Sequence, residues 1–208
     1  MQAKSEMSDT PPSMIDLVFG VRGSHIPVDY RFVLWNALRS TLPWVEEEAE
    51  TGIVGIGLTP TGGTTALLSR RAKLTLRVPA RRLAEAQRFV GIRIDFGSES
   101  IEITQAHPRT LVPTPTVYSQ MVVLETEEEV AFAQALAEEL TRRVPGPRYI
   151  LGRRKTLHAG PRELIGFPVV VHDCSVESSL RLQQSGLGAE RGLGCGIFVP
   201  HKRIGAIE

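Results

Sequence analysis

The residues best suited to chemistry lie in one stretch, Ser185-Gly-Leu-Gly-Ala-Glu-Arg-Gly-Leu-Gly-Cys-Gly-Ile-Phe-Val-Pro-His-Lys202. Gly186, Gly188, Gly192, Gly194 and Gly196 fall within eleven residues, around Arg191 and shortly before Lys202. Glycine turns through positive φ and lets backbone approach a ligand closely. Successive exposed N–H groups in such a turn form a concavity that suits phosphate oxygens. The expectation is an anion held by backbone amides, with the run after Cys195 read as a short buried strand behind them. The spacing G-x-G-x-x-x-G misses the dinucleotide fingerprint by one residue, and no G-x-x-x-x-G-K-[ST] phosphate loop is present. A nucleotide-cofactor enzyme is therefore set aside. The remaining candidates for proton transfer are five scattered histidines, His25, His107, His158, His172 and His201.

Composition narrows the class. The chain has 208 residues, 42% of them hydrophobic, which suits one large or two small globular domains. No run approaches the ~18 apolar residues of a membrane span, and no basic-then-apolar leader opens the chain. Cys174 and Cys195 stand in no metal-ligand spacing. The expectation is a cytoplasmic protein without metal, cofactor or membrane. A net charge of +1 hides an uneven distribution, because Glu46, Glu47, Glu48 and Glu50 form one acidic cluster and Glu125, Glu127, Glu128 and Glu129 another. Of the 24 basic residues only four are lysine. Arginine's planar fork favours bidentate phosphate contacts and stacking on bases.

The elements that must position these residues read as follows. Residues 1–13 form a polar, disordered tail. A strand over 15–21 leads through a turn at 23–27 to a helix from Asp29, as N-cap, to about Leu42. Phe32, Val33, Trp35, Leu38 and Leu42 supply its apolar spacing. Strands over 53–58 and 73–78, a helix over 79–90, and strands over 92–96 and 100–104 complete a β-α-β-β-α-β unit with a terminal hairpin. The proline-rich segment from His107 onward reads as a linker. The second half starts with a strand over 117–124 and a helix opened at Thr126 in capping-box fashion. Further strands near Tyr149 and over 164–172, a helix over 175–184, and the glycine loop with its last strand then follow. The fold class is α+β, with two tandem ferredoxin-like (RRM-like, βαββαβ) domains. Their expected bounds are 14–105 and 118–208, with a linker over 106–117.

Several stretches carry a family resemblance. They are Glu177-Ser-Ser-Leu-Arg-Leu-Gln-Gln-Ser-Gly-Leu-Gly with Arg191-Gly-Leu-Gly-Cys-Gly-Ile-Phe-Val-Pro200, Val21-Arg-Gly-Ser-His-Ile-Pro27, and Gly152-Arg-Arg-Lys-Thr-Leu with Ile165-Gly-Phe167. Together they resemble the CRISPR-associated repeat-processing endoribonucleases of the RAMP superfamily, closest to the Myxococcus-type variant group. The resemblance runs from about Met14 to Lys202. It implies tandem ferredoxin-like domains, a CRISPR repeat RNA as substrate, and other effector-complex subunits as partners. It also implies metal-independent cleavage in which the RNA's own 2′-hydroxyl attacks, leaving a 2′,3′-cyclic phosphate and a 5′-hydroxyl.

Such chemistry needs a base, a cation at the phosphate and an acid at the leaving oxygen. Histidine suits the first role because its pKa is near neutrality. His25, in the turn before the first helix, is the first candidate, and His201 the second. The closest group carries a histidine in a Pro-x-Asp-His pattern where this chain has Tyr30. Either His25 replaces it, with Tyr30 orienting the 2′-hydroxyl or phosphate, or the chain grips RNA without cutting it. Lys155 and Arg191 are candidate transition-state cations. Arg153, Arg154, Lys155 and Arg162 form the most basic stretch, in the hairpin joining the middle strands of the second domain, and are expected to track an RNA helix. The expected RNA-binding set adds Gly186, Gly188, Arg191, Gly192, Gly194, Gly196 and Lys202. Tyr30, Tyr118 and Tyr149 are candidate stacking partners. A non-catalytic RNA-binding subunit and a small-molecule-binding α+β domain are the rival readings.

Overall fold

The computed structural model describes residues 13–201. The tail expected over 1–13 falls almost entirely outside the described residues, as does Lys202. In β1 (Met14–Arg22), Ile15, Leu17, Phe19 and Val21 point into one core, the period-two pattern of a strand. β2 (His25–Pro27), α1 (Arg31–Thr41), β3 (Gly52–Ile56), β4 (Thr59–Pro60), β5 (Thr65–Leu67) and β6 (Lys73–Pro79) follow. Then come α2 (Leu83–Ala86), β7 (Arg93–Asp95) and β8 (Ser100–Thr110). The main sheet is antiparallel in the order β3-β6-β1-β8-β7. Without its edge strand β7, that is the order of a ferredoxin-like unit.

Local details differ from expectation. The residues read as a turn at His25 form β2, which pairs with β5 in a small sheet ordered β2-β5-β4. Tyr30, not Asp29, caps α1, and no side chain makes a cap hydrogen bond. The helix expected over 79–90 is a chain of 3-10 turns around a single four-residue α turn. In α1 the side chains buried in the domain's own core are Leu34 and Leu38, with Leu42 following at the same spacing. Trp35 borders that core and also reaches beyond it, and Phe32 lies off it; both meet the second unit, as described below.

The second half contains β9 (Thr116–Val122), α3 (Glu129–Arg143), β10 (Arg148–Leu151), β11 (Lys155–Ala159), β12 (Arg162–His172), α4 (Val176–Ser185) and β13 (Val199–Pro200). Its sheet order, β10-β12-β9-β13, repeats the ferredoxin-like plan, with β11 as an extra strand on β12. α3 starts two residues later than expected, because the Glu128 carboxylate accepts from the Val130 and Ala131 N–H groups. Those two bonds hold the carboxyl below its ordinary pKa. Ser175 caps α4 by accepting from the Ser178 N–H. Phe132, Leu136, Leu140, Phe167, Val169, Leu182 and Phe198 fill the second core. The linker is shorter than expected, because β8 continues along β1 to Thr110 and β9 begins at Thr116. β7 pairs only with residues 100–102 of β8. Residues 106–110 are therefore an edge, where Pro108 costs no ladder hydrogen bond.

A buried arginine joins the two units. Arg77, in the middle of β6, is 1% exposed. Its Nε donates to Asp16 of β1 at 2.9 Å. Its Nη1 donates to the carbonyls of Gln183 at 2.7 Å and Phe198 at 2.6 Å, both in the second unit. The other Asp16 oxygen accepts from Arg109. A guanidinium loses several kcal/mol of hydration on burial, so its partners decide whether it is tolerated. Here a carboxylate from one unit and two carbonyls from the other provide them. Arg77→Met is expected to lower unfolding free energy by about 3–5 kcal/mol in urea titration, because Asp16 is left buried and underpaired. Adding Asp16→Leu to that variant should recover much of the loss, since no uncompensated charge then remains.

Candidate nucleic-acid interface

The glycine loop is largely buried, and most of its amides are already used. The N–H groups of Gly186, Leu187, Ala189, Gly194, Cys195 and Gly196 donate to the carbonyls of Leu182, Gly196, Val123, Arg191, Glu190 and Met121 respectively. The concavity of free amides expected from the spacing is therefore not what this loop forms. Its glycines instead admit other backbone and rings. A Cβ on Gly192 would lie 2.3 Å from the Trp35 ring, and one on Gly194 would lie 2.5 Å from the Ile53 carbonyl oxygen. One on Gly196, at φ +66°, would lie 1.9 Å from the Leu187 carbonyl oxygen. Gly188, exposed at φ +78°, is closed off by the Val123 carbonyl oxygen at 2.3 Å. The loop is the surface on which the two units meet.

That contact explains the surplus apolar residues of α1. Trp35 receives Gly192, while Arg31, 8% exposed, donates from Nη1 to the Ile53 and Leu193 carbonyls at 3.2 Å each. Across the seam, Gly52 faces the Arg191 carbonyl oxygen, 2.1 Å from where a Cβ would stand. Arg191 itself is half-buried with its guanidinium beside Gly186, and desolvation lowers its pKa from the ordinary value. Burial pushes the Cys195 thiol up to about 12, so it remains a protonated core group.

The basic hairpin also docks at one point. A Cβ on Gly160, between β11 and β12, would lie 2.6 Å from the Phe32 ring, and its neighbour Ala159 is fully buried. The tip thus rests on α1 rather than standing free. Three of its basic side chains have acidic neighbours: Arg162 with Glu190 at 3.0 Å, Arg154 with Glu127 at 3.6 Å, and His158 with Glu163 at 3.5 Å. Exposed pairs of this kind are worth little, so a phosphate can replace the carboxylate. Among the described residues, Arg153 and Lys155 have no carboxylate within salt-bridge distance. Lys155 opens β11 four residues from Ala159, on the order of 13 Å along the strand.

His25 is half-buried in β2, six residues before the start of the helix on which the hairpin tip rests. Tyr30, read as a candidate on the RNA phosphate, lies instead in the first core at 4% exposure. Its hydroxyl accepts from the Ile56 N–H at 2.9 Å, and its ring lies under the Arg31 guanidinium. It anchors the start of α1. The other histidines are dispersed: His107 is on the β8 edge, His172 bonds Asp173, and the His201 ring lies against Tyr118. Among the described residues no three His, Cys, Asp or Glu side chains gather as a metal ion would require, and no helix is long and apolar enough to cross a membrane.

Sequence reasoning passed over Arg31, Asp16 and Arg77, which hold the seam. A signal for one of them was present: Asp16 interrupts an otherwise apolar strand, and a charge at such a position marks a buried partner, whereas Arg77 falls on the polar alternation of β6 and gave none.

Two ferredoxin-like units, clasped through a glycine loop and a docked basic hairpin, define a tandem ferredoxin-like protein. Within that class the chain belongs to the Cas6 family: the family pattern described as "Cas6 Crispr" matches residues 15–203. It is 28% identical over 196 residues to the "CRISPR-associated endonuclease Cas6" of Myxococcus xanthus (strain DK1622), covering 93% of this chain and 84% of that one. Among solved structures, "An RAMP protein binding different RNA substrates" aligns with a TM-score of 0.65 at 13% identity, covering 88% of this chain and 98% of that one. "Characterization of a Cas6-related gene from Pyrococcus furiosus" aligns with a TM-score of 0.64 at 12% identity, covering 89% and 97%. These two likenesses concern the fold.

The seam predicts how the glycines respond to substitution. Gly192→Ala is expected to displace the Trp35 ring, shift tryptophan emission and lower stability by about 1–3 kcal/mol. Gly57→Ala and Gly63→Ala, where an added Cβ meets nothing, should change neither.

Proposed function

We propose that this Cas6-family protein cuts precursor CRISPR RNA within its repeat, as a metal-independent endoribonuclease that uses the RNA 2′-hydroxyl as nucleophile. The observation that carries the reading is the family match over 15–203, which takes in the His25 strand, the basic hairpin and the glycine loop together. The resemblance of the chain to an endonuclease over most of its length supports the same reading.

Each residue has a role that the geometry allows. His25 accepts the 2′-hydroxyl proton as general base. The attacking oxygen then closes a five-membered ring on phosphorus as the 5′-oxygen leaves with a proton, giving a 2′,3′-cyclic phosphate and a 5′-hydroxyl. Arg153 and Lys155 grip phosphates near the paired part of the repeat, with Arg154 and Arg162 joining as their carboxylate partners are displaced. Phe32, by holding the hairpin tip, fixes that grip relative to the helix His25 precedes. Arg191 and the glycine loop act through the seam, setting the angle between the two units. Tyr30 orients α1 from beneath. The product stem-loop stays bound and passes with the protein to other CRISPR effector subunits.

One observation favours a second reading. Where the resemblance to the Myxococcus-type group implies a histidine, this chain has Tyr30, committed to the core, so a chain that holds repeat RNA without cutting it is the alternative. Cleavage of repeat RNA in EDTA separates the two. The wild type should cut at full rate and leave a cyclic phosphate end, and His25→Ala should be slower by about 10²- to 10⁴-fold. Tight binding with no cut in either form would establish the non-catalytic subunit. Tyr30→Phe leaves the Ile56 N–H without its acceptor, so it should lower stability by about 1–3 kcal/mol. Well below its melting temperature that variant should keep its cleavage rate. A rate loss without a stability loss would instead put the Tyr30 hydroxyl at the phosphate.

A further inference from the structure

The two sheets differ in what covers the face away from their helices. In the first, that face carries Asp16 and Arg77 and is occupied by the second unit through Gln183 and Phe198. In the second, strand register lays out an ordered surface. Ile150 stands opposite Val170, Val170 opposite Tyr118, and Tyr118 opposite Val199, one row across all four strands. Ile150 is 47% exposed, and the other three are half-buried. The core residues Val117, Val169 and Val171 alternate with them and point the opposite way, so this row is not part of the core.

The adjoining row has another chemistry. Arg148 stands opposite His172, His172 opposite Thr116, and the His201 N–H donates to the Thr116 carbonyl. Asp173 accepts from both Arg148 and His172, holding them side by side while the guanidinium remains 72% exposed. The His201 ring lies 5.3 Å from the Tyr118 ring at 37°, which joins the two rows. The Tyr118 hydroxyl makes no hydrogen bond among the described residues. Thr116 itself is buried, so the accessible side chains of this second row are Arg148, His172 and His201. An apolar and aromatic row beside arginine and histidine side chains matches unpaired nucleotides, whose bases present flat π-faces on one side and phosphates on the other. A duplex cannot use it, because its bases are stacked on one another. The exposed Arg148 guanidinium beside His172 gives this face a charge complementary to phosphate.

We propose that the open face of the β10-β12-β9-β13 sheet, centred on Tyr118 and His201, binds unpaired RNA nucleotides that flank the paired part of the repeat. The proposal rests on the RNA-processing reading and adds a second site to it, separate from the basic hairpin. A base stacks on Tyr118 with His201 at its edge, and Arg148 meets the phosphate beside it.

The test uses two labelled RNAs, 2′-O-methylated throughout so that neither can be cut. One is the repeat with its unpaired flanks, and the other is the same stem-loop trimmed to its paired part. The wild type is expected to bind the flanked RNA about tenfold more tightly, the effect of one or two stacked bases. Tyr118→Phe should keep that difference, and Tyr118→Leu should erase it while binding the trimmed stem-loop as the wild type does. An unchanged flank effect in Tyr118→Leu would overturn the proposal, as would equal loss on both RNAs. No flank effect in the wild type would also overturn it and leave the face to a protein partner. If the wild type binds neither RNA, the RNA-processing reading itself fails, which the trimmed stem-loop alone reveals.

Discussion

Burial of the Arg77 guanidinium constrains nearly everything else in this molecule. A charge removed from water must find partners within hydrogen-bonding reach, and Arg77 finds one in its own sheet and two across the seam. The two carbonyls belong to the end of α4 and to the residue just before the last strand, so the glycine loop between them is clamped at both ends. Arg31 of α1 repeats the arrangement elsewhere along the seam, with carbonyls of β3 and the loop as acceptors. Two arginines of the first unit thus hold the backbone of the second, and the relative position of the units follows from that.

Glycines in the loop serve this closeness. Backbone of one unit lies where a Cβ of the other would stand, at Gly52 against Arg191 and at Gly194 against Ile53. A sequence motif that looks like a phosphate cradle is here a packing device, and the distinction lies in where the amides point. Its functional value is indirect but large. A loop that sets the angle between the two units also sets, on the function proposed above, whether the hairpin, the His25 strand and the open sheet can engage one RNA at the same time. The hairpin tip on Phe32 adds a third contact to the same seam.

The arrangement also divides labour between two equivalent sheets. The first gives up its outer face to the partner unit, and with it the chance to present bases with a platform. The second keeps that face, and its register places aromatic and cationic residues in adjoining rows. One topology, used twice, yields a structural half and a half with a surface to spare.

Much was legible in the chain itself. The alternation along β1 and β6, the helical spacing of α3 and the Ser175 cap depend on neighbours in sequence, so the two ferredoxin-like units could be read from them. The family resemblance rested on local runs of residues and was equally accessible. Element edges were less so: Glu128 displaced Thr126 at the α3 cap because a carboxylate two residues on could reach both free amides. The site was read only in outline. Residue type marked the hairpin as basic and His25 as a candidate base, but Tyr30 looked exposed until Ile56, twenty-six residues away, was seen to claim its hydroxyl. Phe32 looked like core because a sequence records apolar character and not what covers it. What the sequence determined was the pair of folds and the kinds of chemistry available. The tertiary structure alone decided which glycines face backbone instead of solvent, which arginines are buried and which sheet stays open, because those depend on contacts between residues a hundred positions apart.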